Sequence, residues 1–403
     1  MKNSIKCIVL SLLIYAANIN ATSAQAKFNN IDQLLQRAAT KDGLPGLAVT
    51  FVNQRKALHS AVFGYADIAK ASPYTTQSIQ PVGSVSKMIL AVALMKAVEL
   101  GYFTLETDIN RILPFKIINP HEPDHAITVK ELATHTSGII DNPGIYPNTY
   151  KFNYKLRPYT KGLVENLPPL QYKQKVNDST LSAFCFNYLA EKGKYYGAQN
   201  FVFTKGNRTY AYSNIGTTLL GYLIEIKSGM SYSAFTTKYI LKPLHLDSSG
   251  WFLSDLNLKD HAQLYFDQKS NFPLFDLLTY PDGGLKTNAA DLSKFLIDVI
   301  KGMSGKSVVL KASSFKTMFQ PQFTSVNVPA RLSLEKRNKG ILWNLYANGT
   351  IGHDGDDPGV SAFLIFNPLT KAGALFLANK YMDDKSNITN ILTEAINGGL
   401  SSF

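Results

Sequence analysis

The sequence predicts an α+β fold: an antiparallel sheet assembled from the two ends of the chain, flanked by N- and C-terminal helices, with an all-helical domain inserted between its halves. Three observations lead there. Strand-like runs cluster toward both ends, the stretch from about Ser84 to about Asp298 is rich in helical periodicity, and a helix-like segment stands at each end of the folded part. Strands segregated from helices give an α+β arrangement rather than an alternating one. At 403 residues, 45% of them apolar, the chain is long enough for two domains around a sizeable core. Charged residues make up 17%, which excludes a disordered or coiled-coil chain.

The first element is not part of the fold. Lys2 and Lys6 precede the apolar run CIVLSLLIYAA (7–17), and AQA (24–26) is a small-x-small cleavage site. Residues 1–26 therefore read as a signal peptide cut before Lys27. No cysteine stands at the cut, and no later run reaches the roughly 18 apolar residues of a membrane span. The expectation is a protein exported to the periplasm or extracellular space without a stable membrane anchor. Loss of the two leader lysines lowers the formal net charge from +12 to +10. No block of five or six like charges and no nucleic-acid motif occurs, so nucleic acid is not an expected partner. Only Cys185 follows the leader, which excludes an internal disulfide. Its setting, SAFCFNYLAEKG, reads as a helix with a buried thiol.

Next, NIDQLLQRAATKDG has helical spacing and ends at Gly43, and two strands follow, Leu47 to Val52 and Leu58 to Tyr65. Strands return near GILWNLYANGTIGHDG, SAFLIFNP and AGALFLANK, and SNITNILTEAIN closes the chain as a helix. Residues 27–83 and 286–403 are thus assigned to the sheet domain and 84–285 to a mainly helical domain, with the active site in the cleft between them. Residues 142–210 are rich in Tyr, Pro and Lys. They read equally as a substrate wall or lid and as an ordered surface excursion.

The chemistry begins at VGSVSKMILAV (82–92). Ser-x-x-Lys is a weak pattern, and the chain holds it three times, at Ser84/Lys87, Ser313/Lys316 and Ser333/Lys336. Only Ser84 follows a glycine and opens a long apolar run. Residues i and i+3 share a helix face, so Ser84 and Lys87 stand side by side at a helix N-terminus. A desolvated lysine has a lowered pKa and can take a hydroxyl proton; a snorkelling structural lysine is the competing reading. In YAYSNIGTTLLGYLIE, Tyr212 and Asn214 stand at a loop-to-helix junction, where a phenol can shuttle protons and Asn can hold an amide or cap the helix. In GTIGHDGDDPGVSAFLIF, His353 and Gly355 end a strand, and glycine there permits close backbone approach. His121 and His125 are four apart, but Pro120 and Pro123 forbid a clean helix and no third ligand is in view, so neither a metal nor a cofactor is expected.

Ser-x-x-Lys, Tyr-x-Asn and a Lys- or His-x-Gly strand, in this order, resemble the signature of serine β-lactamases and penicillin-binding proteins. The Tyr-Ser-Asn variant is similar to the class C β-lactamase branch with its peptidase and esterase relatives. Segments such as ITVKELATHTSGI, YILKPLHLDSSGW and DGGLKTNAADLSKFL extend the likeness over nearly the whole mature chain. The resemblance implies that Ser84 is acylated, Lys87 activates it and Tyr212 protonates the leaving group. It further implies that Asn214 binds the substrate's side-chain amide, that His353 stands where many relatives have Lys, and that the backbone N–H groups of Ser84 and Asp356 form the oxyanion hole. The expected partner is a small-molecule or peptide substrate, with peptidoglycan as one candidate. Candidate substrates are a β-lactam, a D-amino-acid peptide or a short ester. The departure is HDGDD (353–357). A neutral His grips a carboxylate less than Lys does, while Asp354, Asp356 and Asp357 are expected to favour its charged form if their carboxylates lie close. The alternative function is a catalytically silent relative that binds cell-wall peptides.

Overall fold

The computed structural model describes residues 26–165, 176–203, 208–398 and Leu400. The expected leader, apart from Ala26, lies outside them, as does Tyr172 of the Tyr-rich stretch.

From the N-terminal end come strands β1 (Gly46–Asn53), β2 (Ala57–Asp67) and β3 (Ser72–Pro73). From the C-terminal end come β4 (Arg337–Lys339), β5 (Asn344–Tyr346), β6 (Ile351–Asp357), β7 (Val360–Asn367) and β8 (Ala372–Ala378). They form one eight-stranded antiparallel sheet in the order β4-β5-β6-β7-β8-β1-β2-β3. The seam between the two ends of the chain is the β1–β8 ladder, from Leu47 opposite Ala378 to Asn53 opposite Ala372.

Seven helices concern us: α1 (26–41), α2 (Ser86–Glu99), α3 (Val129–Thr134), α4 (Leu181–Leu189), α5 (Asn214–Ser228), α6 (Ala289–Gly302) and α7 (Ser386–Asn397). Strands β1, β7 and β8 are buried along their whole length because both sheet faces are covered. On one face Leu35 of α1 and Leu392 and Ile396 of α7 join Phe51 and Phe376 in a core. On the other, Phe295 and Leu296 of α6 and Met88 of α2 join Val52, Leu375 and Leu377.

Among the middle helices α5 is the hub, packed by α2, α3 and α4. Its start is set by Ser213, whose hydroxyl accepts from Gly216 N at 2.9 Å, so Ser213 caps it and Asn214 is its first residue. The helical middle also carries two short strand pairs, Tyr150–Asn153 with Leu274–Leu277 and Leu264–Tyr265 with Asn271–Phe272. Cys185 is buried on α4, where burial pushes its thiol up and keeps it inert. No helix among the described residues is long and apolar enough to cross a membrane.

Candidate active site

Among residues 81–95 only Ser84 is partly exposed. It sits in the 3-10 turn Gly83–Val85 that leads into α2. Gly83 has φ +51, and a Cβ there would stand 2.5 Å from Asp356 N, so the turn accepts only glycine. Behind the turn, α2 is buried from Ser86 to Met95 and Ser86 Oγ accepts from Leu285 N at 3.1 Å. The other two Ser-x-x-Lys pairs, Ser313/Lys316 and Ser333/Lys336, are exposed.

Lys87 does not snorkel: it is 0% exposed. Its Nζ has three polar neighbours: Asn214 Oδ1 at 2.7 Å, the Asp282 carbonyl at 2.7 Å and Ser84 Oγ at 3.1 Å. Burial lowers its pKa, while the nearby carboxylates, led by Asp282 and Asp141, oppose the shift. A neutral amine has two N–H groups and one lone pair. Asn214 Oδ1 and the Asp282 carbonyl are pure acceptors and take the hydrogens, which leaves the lone pair to Ser84. Tyr212 Oη donates to Ser84 Oγ at 2.7 Å, and the Lys87 ammonium position lies 5.0 Å from the Tyr212 ring centroid. The Tyr212 phenol is held well above its ordinary pKa by desolvation, opposed by the Ser84 hydrogen bond, so it is a proton donor at neutral pH.

Both ends of the Asn214 amide are engaged within the protein, and the residue stays partly exposed with a second Nδ2 hydrogen. Its Oδ1 accepts from Lys87 and its Nδ2 donates to Asp141 Oδ2 at 2.9 Å. Asp282 is likewise buried. Its carboxylate accepts from Tyr146 Oη at 2.9 Å and Thr218 Oγ1 at 2.9 Å, and burial raises its pKa to about 6.

Strand β6 closes the other side. A Cβ on Gly355 would lie 2.1 Å from the Val82 carbonyl and 2.9 Å from Ser84 N, so only glycine lets this strand rest on the Ser84 turn. The two candidate oxyanion donors, Ser84 N–H and Asp356 N–H, belong to these abutting segments. The condition set for a charged His353, carboxylates close to the ring, is not met. His353 is 3% exposed, burial drives its pKa down to about 3, and Nδ1 donates to the Asp354 carbonyl at 2.5 Å. Its Nε2 therefore carries a lone pair, not a proton. The acids do not rescue the charge. Asp354 Oδ1 stays 3.9 Å away, Asp356 pairs with Lys385 at 2.5 Å and Ser361 at 2.7 Å, and Asp357 accepts from Tyr150 Oη at 2.6 Å with its own pKa raised by burial to about 7.

These walls enclose a cleft of about 280 Å³ lined by Ser84, Tyr212, His353, Gly355 and Asp356 together with Tyr210, Arg337, Asn344 and Asp354. The sequence alone did not reveal Arg337, Asn344, Asp141 or Asp282, since none stands in a recognisable spacing. Part of the Tyr-rich stretch is explained: Tyr146 and Tyr150 bolt it to Asp282 and Asp357 beneath the site, and Tyr210 forms a wall of the cleft.

Comparison with known proteins agrees with this architecture. The family model described as Beta-lactamase matches residues 31–395. "Protein flp" of Staphylococcus aureus (strain MRSA252) is 22% identical over 365 residues, covering 87% of this chain and 62% of that protein. "Beta-lactamase-like protein 4" of Dictyostelium discoideum is 24% identical over 354 residues, covering 80% and 56%. The chain thus spans under two thirds of the length of these curated relatives. Among solved structures, the octameric penicillin-binding protein homologue from Pyrococcus abyssi superposes with a TM-score of 0.70 at 21% identity, covering 91% of this chain and 76% of that one. A class C β-lactamase gives 0.64 at 20% identity, covering 92% and 96%. With the family model spanning nearly its whole length, the chain belongs to the Beta-lactamase family.

Proposed function

We propose that the protein is an exported serine hydrolase that works through an acyl-enzyme on Ser84, with a β-lactam, a D-amino-acid peptide or a short ester as substrate. The observation that carries this reading is the environment of Lys87 Nζ: a buried amine with two acceptors for its hydrogens and its remaining direction on a hydroxyl at 3.1 Å. In acylation Ser84 Oγ bonds to the carbonyl carbon and its proton passes to Lys87. Negative charge on the carbonyl oxygen is met by the Ser84 and Asp356 N–H groups. The C–N or C–O bond then breaks, and the leaving group departs with the Tyr212 proton, which Lys87 replaces. Water hydrolyses the ester on Ser84 by the same route in reverse. With His353 neutral, the cation available to an anionic substrate group is Arg337, which lines the cleft beside Tyr210.

The test is labelling with a fluorophosphonate probe and mapping of the modified peptide. Modification of Ser84, lost in Ser84→Ala, is expected. An unlabelled wild type that still binds muropeptides would instead make the protein a silent cell-wall binder.

A further inference from the structure

We propose that Asp141 is a positioning residue that, through Asn214, aims the Lys87 lone pair at Ser84. This rests on the serine-hydrolase reading above. Asp141 lies in HTSGIIDN, ahead of the Tyr-rich stretch, and its carboxylate is enclosed by the start of α5. Four donors converge on it: Asn214 N at 3.0 Å and Asn214 Nδ2 at 2.9 Å on Oδ2, Ile215 N at 2.9 Å and the Ser213 hydroxyl at 3.3 Å on Oδ1. A carboxyl proton would face a donor on either oxygen, so this environment demands the ionised form even though burial pulls the pKa up.

An acceptor-only partner fixes the Asn214 amide in one sense. Nδ2 must turn to Asp141, and Oδ1 must therefore turn to Lys87. Turned the other way, the amide would present N–H groups to Lys87. The lone pair of a neutral Lys87 would then be drawn to Asn214, and an N–H would be left facing Ser84, a geometry in which Lys87 cannot accept the Ser84 proton. Asp141 touches no candidate reacting atom and acts through one intervening side chain. The charged and titratable groups that bear on Lys87 are Asp282, Asp357 and Asp354, which favour its charged form together with Asp141, and Lys339, His135 and His353, which share its surroundings. Of these, only Asp141 fixes the sense of the Asn214 amide.

The experiment is the Asp141→Asn variant and its reciprocal partner, Asp141→Asn/Asn214→Asp. In the single variant one of the two acceptor oxygens becomes an N–H donor, so four donors share one acceptor and the sense of the Asn214 amide is no longer imposed. In the double variant the Asn at position 141 donates to the Asp at 214, whose other oxygen again faces Lys87. The first readout needs no substrate: the Lys87 titration followed by NMR with ¹³C-labelled lysine, its signal assigned by loss in Lys87→Arg. Relative to wild type, the pKa is expected to fall by about one unit or more in the single variant and to return to or above wild type in the double. The second readout is the rate of Ser84 labelling by the fluorophosphonate, expected to fall at least tenfold in the single variant and to recover in part in the double. If the single variant does not fold but the double does, the pairing is supported. An unchanged Lys87 titration in a folded single variant, or a double variant no better than the single in folding and titration, overturns the proposal. Absence of labelling in wild type strikes the serine-hydrolase reading and leaves the titration to judge Asp141.

Discussion

Which group grips an anionic substrate is decided by the contrast between Arg337 and His353. Arg337 is half-buried on β4, lines the cleft, and keeps its guanidinium carbon 5.8 Å from the Tyr210 ring centroid. Asp354 of the same cleft has Lys385 3.7 Å away and also feels the Arg337 charge, so an anionic ligand would compete with it for the guanidinium. A carboxylate about 4 Å from Arg337 would gain about 4 kcal/mol at the effective dielectric of a protein surface. Partial exposure, salt screening and the ordering of a long side chain reduce this to about 1–2 kcal/mol. Arg337→Gln should therefore raise the Michaelis constant about 5- to 30-fold for an anionic probe such as nitrocefin and leave that of a neutral ester such as p-nitrophenyl butyrate within about twofold. The effect should shrink as ionic strength rises. His353, neutral down to about pH 3, has no charge to lose between pH 5 and 8. The ratio of the two Michaelis constants should thus be flat over that range in wild type and in His353→Gln. The reasoning is refuted if Arg337→Gln moves both probes equally, or if the wild-type ratio titrates near pH 6–7 and the titration vanishes in His353→Gln.

Other perturbations test the remaining parts of the site. Lys87→Ala and Tyr212→Phe should each slow Ser84 acylation by roughly 10²-fold or more, with a double variant far from the product of the two because they share one proton path; multiplying losses in burst kinetics would separate them. Gly355→Ala should abolish labelling of Ser84 while circular dichroism stays native-like, since the new methyl group drives β6 off the Ser84 turn. Asp357, with its pKa raised to about 7, contributes stability that is fully present below about pH 4 and lost as pH rises through 7. Urea unfolding should accordingly show Asp357→Asn gaining about 2–3 kcal/mol on wild type between pH 5 and pH 8; a constant gap between the two proteins would mean that Asp357 is ionised in the fold.

The fold class was legible because hydrophobic pattern and element order are local signals. The strands of both ends were readable from their apolar runs, and the β1–β8 seam joins them. The apolar run after Ser84 set that serine apart from Ser313 and Ser333, and exposure separates the three in the same way. What the sequence hid was electrostatic. Three acids within five residues made a charged His353 reasonable, but alternation along β6 separates them. Asp354 and Asp356 lie on one face with Lys385, while Asp357 shares the other face with His353 and is held by Tyr150. Burial of the imidazole then outweighs their attraction. The internal contacts of Asn214 were hidden for a related reason. Its residue type fits a substrate amide, but its partner Asp141 lies 73 positions away, a distance no local pattern spans.

Burial of a lysine is not by itself a mark of chemistry, and this chain supplies its own controls. Lys87, Lys286 and Lys339 are all 0% exposed, and burial lowers the pKa of each. Lys286 pairs with Asp276 at 3.0 Å and donates to the carbonyls of Trp251 and Gly284, so every direction of its ammonium meets an acceptor and it serves as a structural tie. Lys339 donates to Asn344 Oδ1 at 2.7 Å, its pKa falls to about 7, and no hydroxyl among the described residues hydrogen-bonds to it. Lys87 alone combines two fixed acceptors with a serine hydroxyl in the third direction. Its neutral form is therefore satisfied by the same three partners as its charged form, with only the Ser84 contact reversing from donor to acceptor. A group that can gain and lose a proton without rearranging its neighbours is what repeated proton transfer requires. That property separates Lys87 from the two other buried lysines, and it depends on the Asn214 oxygen being held toward Lys87.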